Sequence, residues 1–188
     1  SLNILKDWSY EIIFVNDDST DNSEKILLDL QKDNPIKIIN MSRNFGVDPC
    51  VIAGFRHAKG DAVVYLHTDL QDPPELIPKL VKKFEEGNDV VHTVRTKRHG
   101  ESKFRMFITK IAYHIIHYLS DLNLPIQAGD YKLISRKALD KILMQNEFRP
   151  YVRGLSVWVG YKQTFVHYER EARGAGESKM PLLSAGPV

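Results

Sequence analysis

Cysteine is nearly missing from this chain: Cys50 is the single one among 188 residues, which excludes an internal disulfide and fits a reducing compartment. It lies in an apolar helical stretch and reads as a buried structural thiol rather than a nucleophile. Long apolar runs are missing too, and no uninterrupted stretch is long enough to cross a bilayer. Ser1 to Tyr10 lacks a basic start followed by an apolar run, so no signal peptide is expected there. Net charge is also scarce. The balance of 26 Lys and Arg against 24 Asp and Glu leaves +2, which gives no argument for a nucleic-acid partner. What is present is 43% hydrophobic and 27% charged, an ordinary globular composition long enough to bury a core.

The charge that exists is unevenly placed. Arg95, Lys97, Arg98, Lys103, Arg105 and Lys110 fall close together with Glu101 the one acid among them, a pattern suited to phosphate or an anionic lipid surface or, equally, to a solvated basic face. Part of it repeats. Arg95-x-x-Arg98-x-Gly100-Glu101-Ser102-Lys103 returns as Arg170-x-x-Arg173-x-x-Gly176-Glu177-Ser178-Lys179. Paired arginines followed by a glycine turn, a hydroxyl and a lysine supply several phosphate donors on a loop.

Hydrophobic spacing predicts strands over Glu11 to Asn16, Ile36 to Asn40, Ala62 to Leu66 and Asp89 to Val94. Between them it predicts helices: one capped by Ser23 with Ile26, Leu27 and Leu30 on its apolar face, one over Val47 to Ala58, and one opened by Asp72 and Pro73-Pro74 and stopped by Gly87. Further on, Phe104 to Leu119 reads as a helix for a core or a membrane interface. Arg136 to Met144 and Tyr151 to Val159 read as helices, and Tyr131 to Ile134 and Gln163 to Tyr168 as strands. Alternation of this kind implies an α/β fold with a mainly parallel twisted sheet and helices on both faces. Ligands of such sheets lie outside the carboxyl ends of the strands, where both acidic clusters, Asp17 to Asp21 and Asp69 to Asp72, are placed.

The candidate chemistry follows from that placement. His67-Thr68-Asp69-Leu70-Gln71-Asp72 offers oxygen and nitrogen ligands at a strand end, and in an extended segment His67, Asp69 and Gln71 point to one side. Asp69 is the best metal ligand of the three, and Asp72 suits a helix cap better. Asp17 and Asp18 are candidates for contacts to a base or ribose, although such a string also makes a plain turn. In Ser42-Arg43-Asn44-Phe45-Gly46, Arg43 can pair with phosphate and Gly46 lets backbone approach a ligand. Asp130, just before a predicted strand, is a candidate general base or acceptor-positioning group, and Arg149, Arg153, Arg170 and Arg173 are candidates to bind an acceptor phosphate.

At these residues the chain resembles the family 2 glycosyltransferases of GT-A (Rossmann-like) fold, and within them the polyprenyl-phosphate glycosyltransferases related to dolichol-phosphate mannose synthase and bactoprenol glucosyltransferases. The segments that carry the resemblance are EIIFVNDDSTDNS, SRNFG, HTDLQDPPE, RTKRHGESKF, GDYKLISRKALD, FRPYVRGLSVWVGY and REARGAGESK, in family order. The resemblance implies a nucleotide-sugar donor, Mg²⁺ or Mn²⁺, and a polyprenyl phosphate acceptor at the cytoplasmic face of the cell membrane. It assigns base recognition to Asp17, metal binding to Asp69 and Gln71, and acceptor or catalytic duty to Asp130. It also implies that Arg98, Arg153, Arg173 and Lys179 handle phosphates. Residues 1–168 are expected to form the catalytic domain, with 169–188 a basic loop and tail leading toward a membrane segment.

The chain departs from the family pattern in four places. Nothing before Asp7 resembles the usual Pro-x-Tyr-Asn-Glu-like first strand, so one edge of the donor site is expected to be absent. The first predicted strand ends Asn16-Asp17-Asp18 rather than in two aspartates and a glycine, and His67 stands where the metal motif usually begins with aspartate. Many relatives also continue into transmembrane helices after the second Gly-Glu-Ser-Lys loop. Two other readings stay open: transfer to a sugar hydroxyl, and a binding module without turnover.

Overall fold

The structure, a computed structural model, describes residues 8–69, 71–95, 128–145, 147 and 150–169. The helix expected over Phe104 to Leu119, Arg98, Arg149, Arg170, Arg173, Lys179 and the tail beyond Glu169 lie outside the described residues.

Strands β1 (Ile12–Asn16) and β2 (Ile36–Asn40) pair in parallel, joined through helix α1 (Ser23–Asp33). Helix α2 (Val47–His57) leads to β3 (Ala62–Tyr65), and a single 3₁₀ turn (Pro74–Leu76) runs into α3 (Ile77–Glu85). Then come β4 (Val90–Arg95), β5 (Ala128–Ser135), α4 (Arg136–Leu143), α5 (Val152–Trp158) and β6 (Gln163–Tyr168). The larger sheet has the order β3-β5-β4-β6. Strand β5 runs antiparallel to β3 and β4, while β4 and β6 are parallel, so three strands share one direction and β5 alone opposes them.

β5 lies between two strands with helices on both faces, and its sequence shows why. Tyr131 and Leu133 point into one core with Leu76 and Leu80 from the α3 side, Val91 and Tyr168. Ile134, on the opposite face, packs with Val51, Phe55, Leu139, Ile142 and Leu155 from α2, α4 and α5. The side chains of Tyr131 to Ile134 are at most 1% exposed, as expected where a strand is covered on both faces.

Local expectations changed in several places. Asp130 lies inside β5 rather than before it, because Val94 pairs with Ala128 and extends the ladder past Gly129. Ser23 is the first residue of α1, not its cap, and its N–H donates to Asp21 Oδ1 (2.9 Å). Ile26 and Leu30 remain 57% and 45% exposed, since α1 rests on the two-stranded pair and buries none of its side chains fully. Asp72 does not cap the helix after Pro73-Pro74. It is fully buried and accepts a hydrogen bond from the Tyr168 hydroxyl.

Candidate active site

The most constrained charged group in the described residues is centred on Asp130. Arg153, the second residue of α5, donates from Nη2 to Oδ1 and Oδ2 (2.8 Å each) and from Nε to Oδ1 (3.0 Å). His67 Nε2, just beyond the end of β3, lies 3.6 Å from Asp130 Oδ2 and 3.1 Å from the Tyr65 hydroxyl. Three elements therefore converge on one carboxylate. Burial by itself pushes the Asp130 carboxyl up, but the His67 imidazole, the Arg153 guanidinium and the Lys132 charge together outweigh it and hold the group well below the usual carboxylate range. Asp130 is ionised at neutral pH and a weak proton acceptor there.

Asp17 ties a different part of the molecule together. Its Oδ1 accepts the Phe45 N–H (2.8 Å) and its Oδ2 the Gly46 N–H (2.9 Å), which fixes the turn into α2 against the end of β1. Gly46 has φ +90°, a conformation that favours glycine, and among the described residues none beyond its two chain neighbours comes within 4 Å of where a Cβ would sit. Arg43 stacks its guanidinium 4.0 Å from the Phe45 ring centroid and donates to the Asn44 carbonyl (3.0 Å). Asp18 is exposed and left-handed, at φ 54°. Asp17, Asp18, Arg43 and Gly46 thus share one loop region at the carboxyl end of the β1–β2 pair.

The turn after β3 carries the metal candidates. Gln71 donates its backbone N–H to Asp69 Oδ1 (3.2 Å), an Asx-type bend that holds the carboxylate at the strand end. His67 instead faces Asp130 and Tyr65. Among the described residues no three His, Cys, Asp or Glu side chains come together as a cage for a metal ion. A donor set of one carboxylate with neutral helpers fits Mg²⁺ or Mn²⁺ of the kind completed by substrate phosphates, and does not fit a structural, all-protein site. Asp69 and Gln71 are the residues that would hold it.

Sequence reasoning missed three contributors. Lys132, between two core residues of β5, is fully buried and donates from Nζ to Ser156 Oγ (2.9 Å). Burial pulls its ammonium down to about 8 against the favourable charge of Asp130. Its signal was present, since a strand covered on both faces buries even its polar positions. Asp48, in the first turn of α2, accepts the Val152 N–H (3.3 Å) and so steadies the start of the helix that carries Arg153. Its carboxyl is raised chiefly by burial. Tyr65 is likewise kept protonated by burial and by the Asp130 charge. The expectation for Cys50 held: it is buried, and burial with a contribution from Asp17 pushes its thiol up to about 12. Among the described residues no helix is long and apolar enough to cross a membrane.

Comparison with known proteins adds to this geometry. The family model described as Glycosyl transferase family 2 matches residues 2–143. The uncharacterized glycosyltransferase YkcC of Bacillus subtilis is 46% identical over 93% of this chain and 54% of its own length. A prophage bactoprenol glucosyl transferase homolog of Escherichia coli is 35% identical over 93% of this chain and 58% of its own. The chain thus spans little more than half the length of these curated relatives. Staphylococcus aureus TarS 1–349, solved in complex with UDP-GlcNAc, shares the fold with a TM-score of 0.56 at 17% identity, over 94% of this chain and 54% of that one.

Proposed function

We propose that this chain, which belongs to glycosyl transferase family 2, is the catalytic part of an enzyme that moves a sugar from a UDP-sugar to a polyprenyl phosphate at the cytoplasmic face of a cell membrane. The observation that carries the reading is the state of Asp130. A sugar hydroxyl must lose a proton as it attacks, and a carboxylate held low by His67 and Arg153 is poorly suited to take it. A lipid phosphate is already an anion and needs no base. Relatives named for bactoprenol support the same acceptor, and the UDP-GlcNAc complex of TarS supports the donor class.

On this reading a phosphate oxygen of the acceptor attacks the anomeric carbon as the bond to the nucleoside diphosphate breaks, with inversion and no proton transfer. A bound Mg²⁺ or Mn²⁺, held by Asp69 and Gln71, would neutralise charge developing on the departing diphosphate. The chain's own part is positional. Asp17 shapes the loop of Arg43 and Gly46 for the nucleotide, while Asp130 fixes the plane in which the Arg153 guanidinium meets an anion. Arg98, Arg173 and Lys179 complete the phosphate-handling set, and the basic repeats draw the enzyme to an anionic membrane surface.

The test is transfer by the full-length protein in vesicles, comparing polyprenyl phosphate, the same polyprenol without phosphate, and a sugar acceptor, with Mn²⁺ and with chelator. The expected product forms from UDP-sugar on the phosphate acceptor alone and is lost with chelator. Transfer to the polyprenol or the sugar, or nucleotide binding with no transfer to any acceptor, would contradict the proposal.

A further inference from the structure

The turn that carries the metal candidates and the first residue of the first arginine repeat meet the end of β6 on the α3 face of the sheet. Asp72 closes the metal-side turn, and its Oδ1 accepts the hydroxyl proton of Tyr168, the last residue of β6. Arg95, the last residue of β4, donates from Nε to the same hydroxyl (3.4 Å). In sequence, Arg95 begins the first arginine repeat and Tyr168 stands two positions before Arg170, which begins the second.

The surroundings make this contact rigid. The Tyr131 ring packs edge-on to Tyr168 with centroids 6.3 Å apart, and its hydroxyl donates to the Pro73 carbonyl (3.2 Å) beside Asp72. Burial and the bond to Asp72 raise the Tyr168 hydroxyl, so it remains a donor at neutral pH. Arg95 reaches it by passing over Gly129, where an added Cβ would sit 3.5 Å from Nη2 and 3.6 Å from Nε, with Thr93 Oγ1 at 3.3 Å. Gly129 precedes Asp130 in β5, and successive side chains of a strand face opposite sides, so the contact and the Asp130–Arg153 pair lie on opposite faces of one strand.

We infer that Asp72, Tyr168 and Arg95 form a tie that holds the metal-side turn and the roots of both basic repeats in one frame, and that Tyr168 is a positioning residue for the transfer reaction. The inference rests on the function proposed above for its catalytic consequence, but not for its structural one. A hydroxyl between a buried carboxylate and a guanidinium fixes the separation of elements far apart in sequence, and small displacements of bound groups cost large factors in rate. Nothing in the tie touches a reacting atom.

The experiment uses Tyr168→Phe, which keeps the ring and removes the hydroxyl, and Asp72→Asn, which keeps the shape and weakens the acceptor. Hydrogen–deuterium exchange on the full-length protein reads the tie without reference to activity. Backbone amides of residues 67–71 are expected to exchange about tenfold faster in both variants, with the α4 and α5 amides unchanged. In the transfer assay, kcat/KM is expected to fall about tenfold in either variant and no further in the double variant, while the Mn²⁺ concentration for half-maximal rate rises. Unchanged exchange at 67–71, or losses that multiply in the double variant, would overturn the tie. A wild-type protein that transfers no sugar to polyprenyl phosphate, yet shows faster exchange at 67–71 in both variants, would overturn the proposed function and leave the tie supported.

Discussion

Two carboxylates organise this molecule, and they do so in contrasting settings. Asp17 stands at the end of a two-stranded edge and is met by two neutral backbone N–H groups of a loop. Asp130 stands inside an inner strand of the larger sheet and is met by a guanidinium from α5 and an imidazole from β3's end. With neutral donors a carboxylate shapes the backbone around it. Paired with a guanidinium in a half-buried setting, it becomes part of a charge arrangement whose members depend on each other. The contrast separates a carboxylate that fixes a backbone turn from one that is part of a charged pair.

The largest effect that would break this contrast falls on the rigid pair. Arg153→Ala leaves Asp130 facing Lys132 and His67 without its main partner, and transfer is expected to fall about a thousandfold, read as kcat/KM on polyprenyl phosphate. Far smaller losses would mean that Arg153 is only structural.

Asp17→Asn tests the loop. Its amide NH₂ faces one of the two backbone donors, so one hydrogen bond is lost and a donor–donor contact is made. UDP affinity by calorimetry is expected to weaken about tenfold, with turnover at saturating donor little changed. A loss confined to turnover would place Asp17 with the reacting groups instead.

The smallest effect concerns stability and pH. Lys132 titrates near 8 when folded and at its ordinary 10.5 when unfolded, chiefly because burial disfavours its charge. Between those values the unfolded chain binds more protons, so stability rises with pH. The Cys50 thiol opposes this from about pH 9, because folding keeps it protonated, and Tyr65 and Tyr131 oppose it above pH 10 for the same reason. Chemical denaturation from pH 7.5 to 8.5 is therefore expected to show a rise of about 0.5 kcal/mol per pH unit, removed in Lys132→Met. An identical slope in the variant would assign the rise to other groups.

Much of the fold could be read from periodicity, because each strand or helix pattern is set by which residues a layered sheet must bury. Val47 to Ala58 and Arg136 to Met144 fell within a residue of α2 and α4. The pairing order could not be read that way. β5 enters between β3 and β4 against their direction, and nothing in its own sequence records its neighbours. At the candidate site, strand-end position singled out Asp17 and Asp69, which lie just past the ends of β1 and β3. What the spacing could not show is who partners whom. Asp72 resembled a cap, yet its partner Tyr168 lies 96 residues away. Lys132 was not singled out although it lies inside the predicted strand Tyr131 to Ile134, and helices from elsewhere in the chain cover both faces of that strand.

On the proposed function Asp130 aims Arg153 and takes no proton, and a double-mutant cycle separates the two roles. Transfer to polyprenyl phosphate is measured for Asp130→Asn, Arg153→Ala and the two combined. The combined variant is expected to be no slower than Arg153→Ala alone, since Asp130 has nothing left to aim. Losses that multiply, or an Asp130→Asn variant far slower than Arg153→Ala, would contradict it and return Asp130 to the role of a base.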